Sequence, residues 1–589
     1  MGNTNNKGKV FFQGALVLGI ANLIVKIIGA GFKIPLINLI HDTGMGYFNI
    51  AYQIYTFMFI IATAGFPIAI SKMVAESMAR NDERNAKRIF HTAFSFLALI
   101  GLLGTAILLV FGRQLADLLN MEDAALGIQV IAPAVFFVAM ACAYRGYFQG
   151  RQDMMPTALS EVIEATGKMV IGLLAAVFIM NLTIDDSLQQ AVDWAAKAVQ
   201  SQHVQTVYAS AGAILGVSIG TLVSFLLLTG IYFFRKRKIA PTLTAQQSLR
   251  PHSTILKELI LIAIPITIGA SVSSLTTLID MGTISRRLVV RPEVFERYAF
   301  MFSEGTSFYQ SALEEGWDAA EILTQKAATL YGMYTGKALT MFNLPLTLVV
   351  GIGMSVVPAI SSSLVQGRQT TARNITESAV RLASLFAAPC ALGMAVLSKE
   401  VLYLLFSDYN AHSVLTILSI AIIPVALVSV SNSILQAYGK VYYPVINMVI
   451  GGLVKVVFNF FLIPYLGIDG APMGTLLCYL IIAVLNFIGI VRVTGMKFRW
   501  VDFLLKPLLA ALIMAAAGFV LSSFLPIAQM TEQLGSTVFK LLSIAELGIC
   551  VIVYGLAIFA VKAVKEEDLL NLPKGEKILQ IVKRLKLMK

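Results

Sequence analysis

The residues able to do chemistry in this chain are charged side chains set inside long apolar runs. Lys26 and Lys33 lie seven apart in the first run, so both fall on one face of a helix. Arg145 sits near the end of a later run. In the run after that, Glu161, Glu164 and Lys168 share a face, and the 164/168 pair has the i,i+4 spacing at which an acid and a base can neutralise each other. Asp280, Lys337, Lys455 and Glu546 are further ionisable residues in apolar surroundings. A charge at mid-bilayer costs at least about 2.5–3.5 kcal/mol, so these side chains are expected to face a bundle interior or a water-filled cavity rather than lipid. Several cations around one cavity suit a polyanionic head such as a pyrophosphate. Lys26, Lys33, Arg145, Lys168, Lys337 and Lys455 are therefore the expected substrate-binding residues. Glu161, Glu164 and Asp280 are the expected gating or ion-coupling residues. Arg145 and Glu161 also lie near an interface to which they could snorkel. Glu546 reads as structural.

No catalytic constellation accompanies them. The five histidines are scattered, and there is no HExxH or Cys/His cluster, so neither a metal site nor an enzyme is expected. Gly332 to Lys337 has the outline of a phosphate loop, but with one spacer too few and Ala338 after the lysine. Without a nucleotide motor or cofactor, work would come from the membrane potential, a coupling cation (H+ or Na+) or the substrate's own gradient. The four cysteines all lie in apolar segments and read as packing residues. The net charge of +12 does not point to nucleic acid, because most basic residues occupy short loops between apolar runs.

The elements that must hold these charges are membrane helices. The chain is 57% hydrophobic and only 13% charged, about half the charge share of soluble domains, which makes it an all-α integral membrane protein. About fourteen runs are long enough to span, at 10–38, 46–72, 88–111, 126–148, 156–181, 209–234, 255–283, 327–360, 374–397, 411–437, 442–465, 470–492, 503–526 and 540–562. Lysines and arginines are concentrated in alternate loops and in the tail, which puts both termini in the cytoplasm. Two outer loops are long, 182–208 and 288–326, and each could form a short surface helix. The tail interleaves lysines with Ile578, Val582 and Leu585 and would lie along the inner leaflet.

The chain also echoes itself. Gln149 to Lys168 and Gln436 to Lys455 both span nineteen positions, each running through a proline to a lysine inside an apolar run. Pro67-Ile68-Ala69-Ile70-Ser71 returns as Pro358-Ala359-Ile360-Ser361. The copies are 287 and 291 residues apart, so helix n matches helix n+6 and the two halves are parallel repeats. The expected organisation is an N-lobe over 1–234, a basic linker over 235–254 and a C-lobe over 255–497. Two extra helices over 498–563 and an amphipathic tail over 564–589 complete it.

Three stretches carry a family resemblance. They are Lys26-Ile27-Ile28-Gly29 with Phe32-Lys33-Ile34-Pro35-Leu36, Ile264-Pro265-Ile266-Thr267 continuing to Asp280 and Arg286-Arg287-Leu288, and Leu330-Tyr331-Gly332 continuing through Asn343-Leu344-Pro345 to Val357-Pro358-Ala359-Ile360-Ser361. In them the chain resembles the stage V sporulation protein B group of the MOP superfamily, similar to the MurJ lipid II flippases. The resemblance implies two six-helix lobes in a V shape, with helices 13 and 14 forming a groove for a lipid tail. It implies export of undecaprenyl-pyrophosphate-linked sugars across the bacterial cytoplasmic membrane, with lipid-linked substrate, membrane lipids and wall-synthesis proteins as partners. Helix 1 cations line the family's cavity, and Lys26 and Lys33 match them as lysines where arginines are common, a weaker fork for phosphate. The 288–326 loop departs from the family pattern. The rival readings are a cation-coupled multidrug antiporter of the same superfamily, a flippase for another lipid-linked polysaccharide, and a non-transporting scaffold.

Overall fold

Apolar runs that cross a bilayer without period-2 alternation can satisfy their backbone only as helices, and every regular element among the described residues is helical. The computed structural model describes residues 2–181, 202–236, 249–496, 500–524 and 536–564. The side chains of 2–20, 62–63, 236, 265, 268–270, 272–275, 354 and 358 are not described. The expected inner-leaflet tail, most of the basic linker and most of the first outer loop lie outside the described residues. The chain divides into two compact units, Met1–Gly336 and Lys337–Lys589.

The first unit holds α1 (Gly2–Thr63), α2 (Phe66–Ala79), α3 (Glu83–Leu118), α4 (Ala125–Gly150), α5 (Met155–Met180) and α6 (Gln202–Lys236). It continues with α7 (His252–Leu288), α8 (Ser307–Glu315) and α9 (Ala319–Met333). Local signals set the ends. Pro67 and Pro156 occupy the first turns of α2 and α5, where a missing N–H costs nothing. Asp82 caps α3 by accepting from Asn85 N at 3.0 Å, and Asp318 caps α9 by accepting from Glu321 N at 2.8 Å. The second outer loop does carry a surface helix, α8, beside a 3-10 segment Pro292–Met301.

The break expected between the first two apolar runs is a single residue. His41 alone leaves helical geometry inside α1, at φ 57 and ψ −175. Gly44 and Gly46 serve as close-packing points. A Cβ on Gly44 would lie 2.6 Å from Thr206 Cγ2, and one on Gly46 would lie 2.6 Å from the Ala328 carbonyl. A glycine seam likewise joins α5 to α6. A Cβ on Gly216 would meet Gly172 N at 2.4 Å, and one on Gly220 would meet the Glu164 carbonyl at 2.7 Å. Such seams let membrane helices gain dispersion where lipid offers no hydrophobic drive. A cluster of Phe90, Tyr144, Tyr147 and Tyr232, with Phe90 centroids 4.9–5.1 Å from the other three, ties α3, α4 and α6 together.

The second unit begins inside a π-helical turn, Tyr334–Ala338, and holds α10 (Leu339–Val365), α11 (Gln369–Val396), α12 (Ser398–Phe406) and α13 (His412–Ile420). It continues with α14 (Ile422–Ala437), α15 (Tyr442–Leu466), α16 (Gly470–Thr494), α17 (Lys506–Phe524) and α18 (Ser536–Ala560). Here α15 and α16 pack through Gly451 and Gly474, whose added Cβ atoms would strike Ile482 and Asn459 at 2.4 and 2.3 Å. Asn486 adds a polar seam, donating to Ser431 Oγ at 2.9 Å and to Asn432 Oδ1 at 2.7 Å while accepting from Asn447 at 2.8 Å.

Eleven segments among the described residues are long and apolar enough to cross a membrane, so the protein is multi-pass. Two of them, Ala21–Ala79 with 59 residues and Tyr442–Thr494 with 53, each exceed two and a half times the roughly 20 residues that one crossing needs.

Candidate functional site

The charged residues of the first unit meet where α1, α4, α5 and α6 pack together. Arg145 on α4 is buried, and three partners hold its guanidinium. It donates from Nε to Ser160 Oγ at 3.1 Å, and from Nη2 to Glu164 Oε2 at 2.8 Å and Ser224 Oγ at 3.2 Å. It therefore does not snorkel. Ser160 and Glu164 come from α5, and Ser224 from α6. The glycine seam brings those two helices close enough to serve one arginine. Glu161 lies within Coulombic reach of Arg145, and its buried Oε2 has no hydrogen-bond partner among the described residues.

This pairing changes the reading of Lys168. The i,i+4 pair with Glu164 does not form, because Arg145 takes the carboxylate. The Lys168 ammonium instead lies 4.1 Å above the Tyr52 ring and 5.1 Å from that of Phe32. An aromatic face attracts a cation without cancelling its charge. Lys33 is half-buried and donates to Asn49 Oδ1 at 3.4 Å. It lies within Coulombic reach of Lys168 and of Lys26, which is exposed on α1 beside Leu23 and Ile27. Among the described residues none of these three lysines has a carboxylate partner. Phe32, Phe48, Tyr52 and Tyr55 form a continuous aromatic ladder below them, with centroid steps of 5.6–6.0 Å.

Asp280 joins through a relay. The Tyr334 hydroxyl donates to Asp280 Oδ2 at 3.0 Å, and the next residue, Thr335, accepts from Asn49 Nδ2 at 2.9 Å. Lys26, Lys33, Arg145, Glu161, Glu164, Lys168 and Asp280 thus all belong to the first unit. The remaining two expected residues belong to the second. Lys337 is buried and ion-paired with Asp408 at 2.5 Å, so its charge is balanced. Lys455 is 2% exposed, on the face of α15 that carries Asn447, Gly451 and Asn459 and packs on α16.

Sequence reasoning missed Asn49, Tyr52 and Thr335. Asn49 and Tyr52 are i,i+3 on the helix that carries Lys33, and a fully buried amide in an apolar run was the available signal. It also missed a network around Asp123. That carboxylate accepts from Gln325 Nε2 at 2.6 Å and pairs with His203 Nε2 at 3.1 Å, while Tyr47 donates to Gln325. No cluster of three or more His, Cys, Asp or Glu able to hold a metal occurs among the described residues.

Comparison with known proteins gives concordant matches. Residues 11–365 match the model of a family described as polysaccharide biosynthesis protein, and residues 323–534 match that of lipid II flippase MurJ. The chain is similar to the uncharacterized membrane protein YabM of Bacillus subtilis (strain 168), 26% identical over 97% of each chain. It is 24% identical to lipid II flippase MurJ of the same organism, over 83% of this chain and 84% of that one. A solved structure of lipid II flippase MurJ in an inward closed conformation superposes with a TM-score of 0.63 at 13% identity, covering 92% of this chain and 98% of that one.

Proposed function

We propose, from the premise that the chain belongs to the polysaccharide biosynthesis protein family of the MOP superfamily, that it moves a lipid-linked cell-wall precursor outward across the bacterial cytoplasmic membrane. That membership makes it a transporter rather than an enzyme. The substrate we assign is an undecaprenyl-pyrophosphate-linked unit of the lipid II type, carried by alternating access. We assign fourteen spans, with the two double-length segments crossing twice and α7 crossing once. We also assign two six-helix lobes with α17 and α18 outside them, and both termini inside.

The observation that carries the reading is the surplus of positive charge on α1 and α5. Lys33 stands within Coulombic reach of both Lys26 and Lys168, while Glu164 is spent on Arg145. Like charges gathered in a low-dielectric region repel, and a bound polyanion turns that repulsion into attraction. The Tyr52 and Phe32 faces keep Lys168 in place without neutralising it. The arrangement is the reverse of what a carrier of cationic drugs needs. An inside-negative potential favours outward movement of an anionic head by about 2.3 kcal/mol per net charge per 100 mV.

The test is depletion and rescue. Depleting the protein should cause lipid-linked wall precursor to accumulate. Lys33→Ala and Lys168→Ala should fail to restore export while reaching the membrane at wild-type levels. Drug sensitivity without precursor build-up would favour an antiporter. Full rescue by Lys33→Ala/Lys168→Ala would refute the assignment of these lysines.

A further inference from the structure

Two glutamates outside the lysine group break the rule that buried charge is paired. The packed face of α18 reads Phe539, Ser543, Glu546, Cys550, Ala557, a helical stripe in which Glu546 occupies a core position at 2% exposure. Across from it, Glu400 on α12 is 3% exposed. The packing of α17 on α18 fixes the approach. A Cβ on Gly518 would lie 3.2 Å from Cys550 Sγ, and one turn further along each helix stand Ser522 and Glu546. Ser522 donates to Glu400 Oε1 at 2.7 Å. Glu400 Oε2 and Glu546 Oε1 are buried without a hydrogen-bond partner among the described residues. The two carboxylates interact through space.

Other charged and titratable groups on these helices are engaged elsewhere or turned away. Lys540 donates to Ser407 at 2.9 Å, Lys506 pairs with Asp502 at 2.7 Å, Lys399 is exposed, and the Tyr554 hydroxyl donates to the Leu385 carbonyl at 2.7 Å. Tyr403 packs edge-on against Phe539. Two carboxylates facing each other in an apolar seam cannot both be ionised without a positive charge between them, since each is desolvated and the pair repels. One cation, shared by the two unpartnered oxygens, satisfies both.

We propose that Glu400 and Glu546, with Ser522 orienting the first, form a binding site for one monovalent cation, either a proton or Na+. The site joins α12 to α18. It is separate from the lysine group of the first unit, and its occupancy governs how firmly α18 is held.

The experiment uses the full-length protein in detergent and the carboxyl reagent dicyclohexylcarbodiimide, which modifies protonated carboxyls in apolar surroundings. Wild-type protein should be modified at Glu546 or Glu400, identified by peptide mass, with labelling falling about tenfold per pH unit above the upper of the pair's two midpoints. Protection by NaCl but not KCl identifies the ion as Na+, whereas indifference to both identifies a proton. Glu546→Gln, an isosteric variant that mimics the neutral state, should melt normally and lose the dependence of its melting temperature on pH or Na+. Absence of labelling at every pH, together with the same pH and Na+ dependence of melting in wild type and Glu546→Gln, would overturn the proposal. Precursor export is not the readout, so failure of the flippase assignment leaves this test intact.

Discussion

Replacing Glu164 by glutamine strands the most deeply held cation of the first unit. The Arg145 side chain is 6% exposed and that of Glu164 20%, and they meet at 2.8 Å. Removing one member of a buried ion pair costs about 3–5 kcal/mol, because the other charge stays desolvated and uncompensated. Glu164 retains some water contact, and Glu161 stands in Coulombic reach with a buried oxygen to offer. Glu164→Gln alone should therefore fall at the lower end, about 3 kcal/mol, and Glu161→Gln/Glu164→Gln should reach the upper end, about 5 kcal/mol. Removing both partners, as Arg145→Leu/Glu164→Leu, should cost less than Glu164→Gln. Besides the attraction of Arg145 for Glu161, it forfeits the hydrogen bonds to Ser160 and Ser224, about 1 kcal/mol each. Unfolding free energies from denaturing-detergent titrations of the four proteins give the comparison directly. If Arg145→Leu/Glu164→Leu cost as much as Glu164→Gln or more, the carboxylate would not be spent on Arg145. The argument that Lys168 keeps its charge for another purpose would then fail.

Two more predictions concern the backbone of α1. Gly332→Ala would place a Cβ 1.7 Å from the Asp42 carbonyl and 2.6 Å from Gly46 N, so α9 must move off α1. Overpacking of this kind costs about 1–3 kcal/mol or more, and it should appear as loss of monodisperse protein on size exclusion. Gly351→Ala, with nothing within 4 Å, is the control that should behave normally. His41→Gly removes a side chain from a conformation, φ 57 and ψ −175, that strains any residue with a Cβ by about 1–3 kcal/mol. Its melting temperature should rise, and a fall would show that the His41 ring is held by something stronger than the strain.

Hydropathy made most of the helices legible, since bilayer thickness fixes the length of an apolar run and the backbone has no alternative inside lipid. The run expected over 126–148 is α4 at 125–150, and that over 156–181 is α5 at 155–180. What one-dimensional pattern could not show was which helix touches which. Glycines 44 and 46 carry no sign along the chain that they admit Thr206 and Ala328, which lie far away in sequence. For Glu164 the only neighbour the sequence displays is Lys168 at i,i+4. Arg145, nineteen residues away along the chain, reaches Glu164 first because it is itself buried and needs a counter-ion. The ion pair of Lys337 with Asp408, 71 residues on, was equally hidden, because nothing along the chain links the two positions.

The π-helical turn at Tyr334–Ala338 has a mechanical consequence. Its wider winding sends two consecutive hydroxyls to different neighbours, Tyr334 to Asp280 on α7 and Thr335 to the amide that holds the Lys33 ammonium. Rewinding that turn as ordinary α-helix would shift both hydroxyls together, since a wide turn relaxes as a whole. Asp280 and Lys33 are therefore yoked. A rewinding of the turn would alter the contact at the acid and the contact at the base in one movement.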